Sequence, residues 1–307
     1  MAVPVRVFCT YFDAQYLSRG LALYRSLQAH AGPFRLFVLC LDDLAYDALA
    51  AHADIVRIRM DDFERRFPDL VETKKTRSSL EYYFTCTPAV IRYVFDQSPD
   101  VRILTYLDAD LYFFSTPDPL YEELGAGTVG IIEHRFPAEL RRLEEYGRFN
   151  VGWVTFKREP EALQCLDRWH GQCVEWCHDL VEPERFADQK YLDQWPRLLA
   201  GVRILGHKGA NVAPWNVGQY RIREISGRVF VDEAPLVFYH FHGLRYVRPG
   251  AFASGLAPYS AEMTPALRRH VYRPYIRVLL TYDHQRGLSR GTALEPGPPS
   301  PKASRKP

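Results

Sequence analysis

VRVFCTYF (5–12), AQYLSRGLALYRSLQAHA (14–31), FRLFVLCLD (34–42), DLAYDALAAH (43–52) and DIVRIRM (54–60) open the chain and decide its fold. The first, third and fifth are short apolar, β-branched runs that read as strands. The second and fourth repeat apolar residues every three or four positions, the mark of one buried helical face. Strands joined through helices run parallel, bury both faces of their sheet and gather ligands at their carboxyl ends. The expectation is an α/β protein with a Rossmann-like, mostly parallel sheet flanked by helices. Its site residues are sought where strands end.

Past a polar basic stretch, ETKKTRSS (72–79), a helical pattern runs from about Leu80 to Gln97, with a break expected near Pro88. It leads into VRILTYLDADLYFF (101–114), the strongest strand of the chain, whose half from Val101 to Leu107 reads as fully buried. Thr128 to Ile132 and FNVGWVTF (149–156) read as strands, with a charged helix, ELRRLEEYG (139–147), between them. A cysteine-bearing helix and the helical DQKYLDQW (188–195) follow. The rest is less regular: a strand VRILGH (202–207), a turn APWNV (213–217), and an expected antiparallel pair formed by GRVFVDE (227–233) and LVFYHFHG (236–243). Residues 1–250 read as one catalytic domain with a small antiparallel element and 251–291 as a C-terminal helical extension. Residues 292–307, rich in Pro, Ser and Lys, read as a disordered tail.

Bulk properties exclude some functions. With 47% hydrophobic residues, a chain of 307 can bury a large core. Its 39 Lys and Arg against 37 Asp and Glu leave a formal charge of only +2, so no basic field points to nucleic acid. The opening residues lack the basic start and apolar run of a secretory signal, and no stretch approaches the roughly 18 apolar residues of a membrane span, so the expected location is the cytoplasm. Cys9, Cys40, Cys86, Cys165, Cys173 and Cys177 lie in apolar patterns and read as reduced, buried thiols. His170, Cys173, Cys177 and His178 could suggest zinc. However, Leu166, Trp169, Cys173, Trp176 and Leu180 step by three and four, which reads as a core helix face. Near the end, Arg268, Arg269, Arg273 and Arg277 accompany Leu267, Val271, Val278 and Leu279. Such a segment either packs on the catalytic domain, the simpler reading, or touches an anionic membrane surface as a peripheral contact.

The chemistry centres on Asp108-Ala109-Asp110, where the buried strand emerges. Two carboxylates two residues apart point to one side of an extended chain or bracket a turn, and either way a divalent cation can bridge them. A D-x-D alone is weak, because a solvated strand end explains it. Here two charges abut the apolar ILTYL, which is costly unless they coordinate or pair. His240 and His242 share one face of a strand, as metal ligands or as core histidines bonded to backbone. Asn150 and Gly152 fit a turn, Asp188 and Asp13 fit helix N-caps, Trp215 fits packing, and Lys74, Lys75 and Arg77 fit a solvated basic run.

The blocks LTYLDADLYFF, FNVGWVTF, FADQKYLDQW, HKGANVAPWN and YHFHGL occur in the order found in GT-A glycosyltransferases. Over about residues 3 to 250 the chain most closely resembles glycosyltransferase family 8 and related bacterial nucleotide-diphospho-sugar transferases. The resemblance implies a hexosyltransferase-like enzyme that takes a sugar from a nucleotide-sugar donor, UDP-linked by expectation, with retention of configuration. Asp108, Asp110 and His240 would hold Mn2+ or Mg2+ on the donor diphosphate, and Asp188 and Gln189 would face the transferred sugar and its reaction centre. Asn150 and Gly152 would face the donor sugar, Thr10, Tyr11 and Asp13 the nucleotide base, Arg77 the uridine or phosphate, and Trp215 and Asn216 the sugar pocket. His242 is a candidate for acceptor contact. The family continues after its H-x-x-G with Lys-Pro-Trp, whereas this chain reads Leu244-Arg245-Tyr246-Val247-Arg248, so Arg245 or Arg248 is expected on the diphosphate. The acceptor, whether saccharide, lipid-linked or protein, has no readable code. Two rivals are a non-catalytic sugar-nucleotide-binding protein and a metal-dependent nucleotidyltransferase. TYFDAQYLSRG (10–20) lacks the Gly-rich phosphate loop that the second would favour.

Overall fold

The computed structural model describes residues 5–248 and 251–285; the tail expected to be disordered lies outside them. The opening alternation folds as read: β1 (Arg6–Phe12), α1 (Leu17–His30), β2 (Phe34–Cys40), α2 (Asp43–Ala48) and β3 (Ile55–Arg59), with both neighbouring strand pairs parallel. Then come α3 (Met60–Arg66), α4 (Pro68–Thr73), α5 (Ser79–Gln97), β4 (Ile103–Leu107), β5 (Leu111–Phe113), α6 (Asp118–Leu124), β6 (Val129–Glu133), β7 (Phe149–Lys157), α7 (Pro160–Glu175), α8 (Trp195–Leu198) and β8 (Val202–Ile204). The main sheet has seven strands in the order β3-β2-β1-β4-β7-β6-β8, and only β7 runs against the others. Helices pack on both faces; α5 and α7 cover one side, with Trp169 and Cys173 of α7 in the same apolar core as Val90 and Val94 of α5. This is the GT-A form of α/β sheet.

Three sequence expectations are corrected. Helix α5 runs unbroken through Pro88, held at its start by a capping box in which Ser78 and Glu81 bond each other's backbone. ELRRLEEYG forms a 3-10 helix (Ala138–Tyr146), with only Leu140 buried, so its charged residues have no apolar face to turn inward. Helix α7 ends at Glu175, and Leu180 beyond it is exposed, so the buried stripe stops at Cys173.

The most consequential correction concerns LVFYHFHG. β9 (Ile222–Ile225), β10 (Arg228–Val231) and β11 (Ala234–Pro235) form a small antiparallel sheet by themselves. β12 (Phe238–His240) leaves it and pairs antiparallel with β5, setting His240 opposite Leu111. β13 (Arg245–Arg248) then makes a hairpin with β14 (Ala251–Ala253). The C-terminal segment contains α9 (Pro265–Leu267), a π-helical turn (Arg268–Tyr272) and α10 (Arg273–Gln285). Its Leu267, Val271, Tyr272, Tyr275, Val278 and Leu279 are buried against β12 and Ala22 of α1, while Arg268, Arg269, Arg273 and Arg277 stay exposed. Packing on β12 and α1 has therefore taken up the apolar face of this segment. Among the described residues no helix is long and apolar enough to cross a membrane.

Candidate active site

Asp108 and Asp110 bracket the turn between β4 and β5, in which the Leu111 N–H donates to the Asp108 carbonyl at 3.2 Å. Of the two geometries open to the D-x-D, the chain adopts the turn. The Asp108 N–H also donates to the Gly152 carbonyl at 3.1 Å, which ties the turn to a bulge in β7 where the register with β6 jumps between Ile131 and Ile132. His240 arrives on β12. Its Nε2 lies 3.1 Å from Asp110 Oδ1 and 3.6 Å from Asp108 Oδ2. One ligand atom from each of the three residues falls within 4.8 Å of the others. Two carboxylate oxygens and one imidazole nitrogen suit a Mn2+ or Mg2+ ion.

The imidazole is oriented from behind. His240 is only 3% exposed, and its Nδ1 faces Asn150 Oδ1 at 3.3 Å. An amide oxygen accepts only, so Nδ1 carries a proton. Burial opposes charge on the ring, but the Asp110 charge and hydrogen bond and the Asp108 charge raise it above its ordinary value, which favours a second proton on Nε2 that a bound ion would displace. Asn150 Oδ1 also accepts from the Gly152 N–H at 3.2 Å, and Nδ2 donates to Gln189 Oε1 at 3.2 Å and faces His134 Nε2 at 3.4 Å. A Cβ on Gly152 would stand 2.6 Å from Asn150 Oδ1 and 2.9 Å from His240 Nδ1, so glycine is required for this approach. Gln189 is clamped at its other end, where Nε2 donates to the Tyr146 carbonyl at 3.0 Å.

Electrostatics separate the acids. Burial opposes ionisation of Asp110, yet the charge and hydrogen bond of His240 hold its carboxyl down at about 2. Burial raises Asp108, and the Asp110 charge adds to it, against the pull of His240 and the Tyr106 hydroxyl that donates to Asp108 Oδ1 at 2.9 Å. Asp188 is 5% exposed and pushed up to about 7, first by burial and then by the Asp108 charge, with the Thr87 hydroxyl as the main counterweight. Helix capping does not explain Asp188: the short helix after it starts at Lys190, and no side chain caps it. Burial likewise holds His134 down at about 3.

Trp215 sits among the histidines, its ring 5.1 Å from His240, 5.1 Å from His134 and 5.6 Å from His242. Its indole N–H and the Asn216 amide both donate to the His134 carbonyl, at 3.0 and 2.8 Å, so Asn216 is committed to holding this turn. Tyr11 bonds Thr87 at 3.2 Å and feels the charges of Asp188 and Asp108, which brings the end of β1 to the cleft. Thr10 Oγ1 is buried without a partner. Asp13 caps the turn before α1, accepting from the N–H groups of Gln15 and Tyr16 at 3.0 Å each.

Other expected residues are engaged with neighbours or exposed. Arg77 spends its guanidinium on Thr85 Oγ1 and the Val174 carbonyl, while Lys74 and Lys75 pair with Glu64 and Glu72. Arg245 and Arg248 are exposed on the β13–β14 hairpin. His170 and His178 bond Asp69 and Glu81, and the acid–histidine triad is the one metal-capable cluster among the described residues. Tyr106 and Thr87, which steady Asp108 and Asp188, carried no sequence signal, the one inside an apolar run and the other mid-helix beside Pro88.

No known family profile matches the chain. Two proteins of Bacillus subtilis (strain 168), both described as uncharacterized, are similar along most of its length. YfnD is 32% identical over 276 residues, 88% of this chain and 87% of its own. YfnF is 30% identical over 254 residues, 78% of this chain and 82% of its own. Among solved structures, the galactosyltransferase LgtC in complex with donor and acceptor sugar analogs superposes with a TM-score of 0.57 at 16% identity, covering 90% of this chain and 95% of that one. The apo form of the glycosyltransferase GlyE of Streptococcus pneumoniae TIGR4 superposes at 0.50 with 14% identity, covering 92% and 64%. At such identities the likeness is one of fold.

Proposed function

The chain belongs to the family of the Bacillus subtilis proteins YfnD and YfnF, and we propose that it is a metal-dependent glycosyltransferase that moves a sugar from a nucleoside-diphosphate donor to an acceptor with retention of configuration. The observation that carries this reading is the Asp108–Asp110–His240 triad at the carboxyl end of a GT-A sheet. The order of the five sequence blocks supports a family 8-like enzyme, and the LgtC complex with sugar analogs supports a nucleotide-sugar donor.

The donor set fits a divalent ion, since Asn150 already fixes the ring so that Nε2 points at both carboxylates. Such an ion supplies Lewis acidity to the departing diphosphate. Asp188, buried beside the triad, would take hydrogen bonds from sugar hydroxyls. Gln189, clamped between Asn150 and Tyr146, would present its carbonyl oxygen to positive charge developing at the anomeric carbon. The bond from that carbon to the β-phosphate oxygen breaks, its electron pair stays on the phosphate, and the acceptor oxygen bonds to the carbon. The acceptor proton would pass to the leaving phosphate. Front-side delivery is supported by the weakly basic amide of Gln189 at this position: burial weakens His134 and His242 as bases, Glu133 is ion-paired with Arg148, and Asp188 would be occupied by the sugar hydroxyls.

The test is incubation of the purified protein with Mn2+ and a panel of UDP-, GDP- and dTDP-sugars. Release of nucleoside diphosphate is expected from one of them, and proton NMR of the first product should show the donor's configuration. Undiminished release in EDTA would overturn the metal reading, and an inverted product the retaining one.

A further inference from the structure

Arg19 takes no part in the mechanism above, yet its setting is unlike that of any other basic side chain described. It lies in the first turn of α1 and is 8% exposed, the only Lys or Arg among the described residues buried to this degree. Its Nη2 donates to the Leu244 carbonyl at 2.8 Å, just past the His240-Phe241-His242-Gly243 turn, and its guanidinium carbon lies 4.5 Å over the Tyr16 ring. Among the described residues it forms no ion pair. A guanidinium set against one carbonyl and one ring has lost part of its water, and four of its five N–H groups have no acceptor among the described residues.

Two observations give the direction in which it is open. Buried Nε atoms without partners occur at Arg77, Arg135 and Arg223 but at no nitrogen of Arg19, so the spare donors of Arg19 still reach accessible space. That space borders the triad, for Leu244, whose carbonyl holds Arg19, donates its N–H to the Phe241 carbonyl at 3.0 Å, and the Phe241 N–H donates to the Asp110 carbonyl at 3.0 Å. The Tyr275 hydroxyl, buried without a partner, feels both Arg19 and Asp110. Asp108 and Asp110 together neutralise a divalent ion, so Arg19 leaves the loaded pocket with a positive excess. Such a pocket calls for an anion with several oxygens.

We propose that Arg19 is the side chain that binds the donor's diphosphate, with its free N–H groups on phosphate oxygens while Nη2 stays on the Leu244 carbonyl. The assignment rests on the glycosyltransferase reading and moves the phosphate cation from the exposed Arg245 and Arg248 to the first turn of α1. Charge accumulates on the diphosphate as the sugar leaves, so a cation fixed there before reaction costs no reorganisation at that moment.

Calorimetry with Mn2+ present and a panel of UDP, GDP, ADP and dTDP, each against its nucleoside, tests this. Arg19→Gln can still donate to Leu244 but carries no charge. It should weaken the preferred nucleoside diphosphate by about tenfold to a hundredfold, as for one charge-assisted contact. Affinity for the nucleoside, and for Mn2+ alone by electron paramagnetic resonance, should hold within about twofold. Arg19→Lys, which keeps the charge, should recover part of the diphosphate affinity even if the Gln variant folds poorly. Wild-type diphosphate binding by Arg19→Gln overturns the assignment alone, as does equal weakening of nucleoside and diphosphate, which marks a merely structural role. Diphosphate loss in Arg245→Ala with none in Arg19→Gln hands the role to the hairpin. Failure of the wild-type protein to bind any of the four diphosphates overturns the glycosyltransferase reading and this assignment together.

Discussion

Asp110 and Asp188 both interact with Asp108 and have been driven in opposite directions. Asp110 meets the Nε2 of His240 at 3.1 Å and stays ionised down to about 2. Asp188 has a threonine hydroxyl, the like charge of Asp108 and apolar walls, and rises to about 7. The contrast separates the duties of the cleft. The carboxyl with a cationic partner keeps its charge, as an ion ligand must, while the one without it keeps its proton up to about pH 7.

The largest effect should come from removing a carboxylate of the triad. Asp108→Asn or Asp110→Asn should lower transfer by about a thousandfold or more, the several kcal/mol expected of an electrophilic ion, while near-ultraviolet circular dichroism stays unchanged. Activity surviving in both variants would erase the distinction between the two carboxyls.

Asp188 sharpens the comparison through stability. Its folded value lies above the ordinary carboxyl range, so between about pH 4 and pH 7 the native state keeps a proton that the unfolded chain has released, and stability falls as pH rises through that window. Asp188→Asn removes this penalty. In metal-free protein the variant should gain up to about 4 kcal/mol over the wild type at pH 8 and little at pH 4, read from urea melts at both values. An equal gain at both pH values would mean that ionisation of Asp188 is not what destabilises the fold.

Two smaller effects concern amides. Asn150→Ala removes the acceptor of His240 Nδ1 and should weaken Mn2+ binding by about tenfold to a hundredfold in a paramagnetic resonance titration. Unaltered affinity would show that β12 alone orients the ring. Gln189→Ala should lower kcat by about tenfold with KM nearly constant, the pattern of a group acting in the transition state; a rise in KM at fixed kcat would make Gln189 a ground-state contact.

The sequence by itself determined the parallel half of the sheet, because an apolar period of two or of 3.6 is written locally and βαβ connectivity leaves few ways to bury it. It also marked Asp108 and Asp110, since charge against a buried strand is costly wherever the rest of the chain goes. Asn150, Asp188, Gln189 and His240 came from the order of blocks resembling a known family rather than from their own neighbours. Only the tertiary structure decided that β12 abandons β10 for β5, a strand well over a hundred residues earlier, and so lays His240 beside the aspartates. It also decided that Gly152 must lack a side chain, that Arg77 is spent on Thr85 and the Val174 carbonyl and Asn216 on backbone, and that Arg19 is buried. The physical reason is that a strand's partner, a carboxyl's pKa and a cation's counter-charge are set by what lies across space, and one-dimensional periodicity carries no record of that.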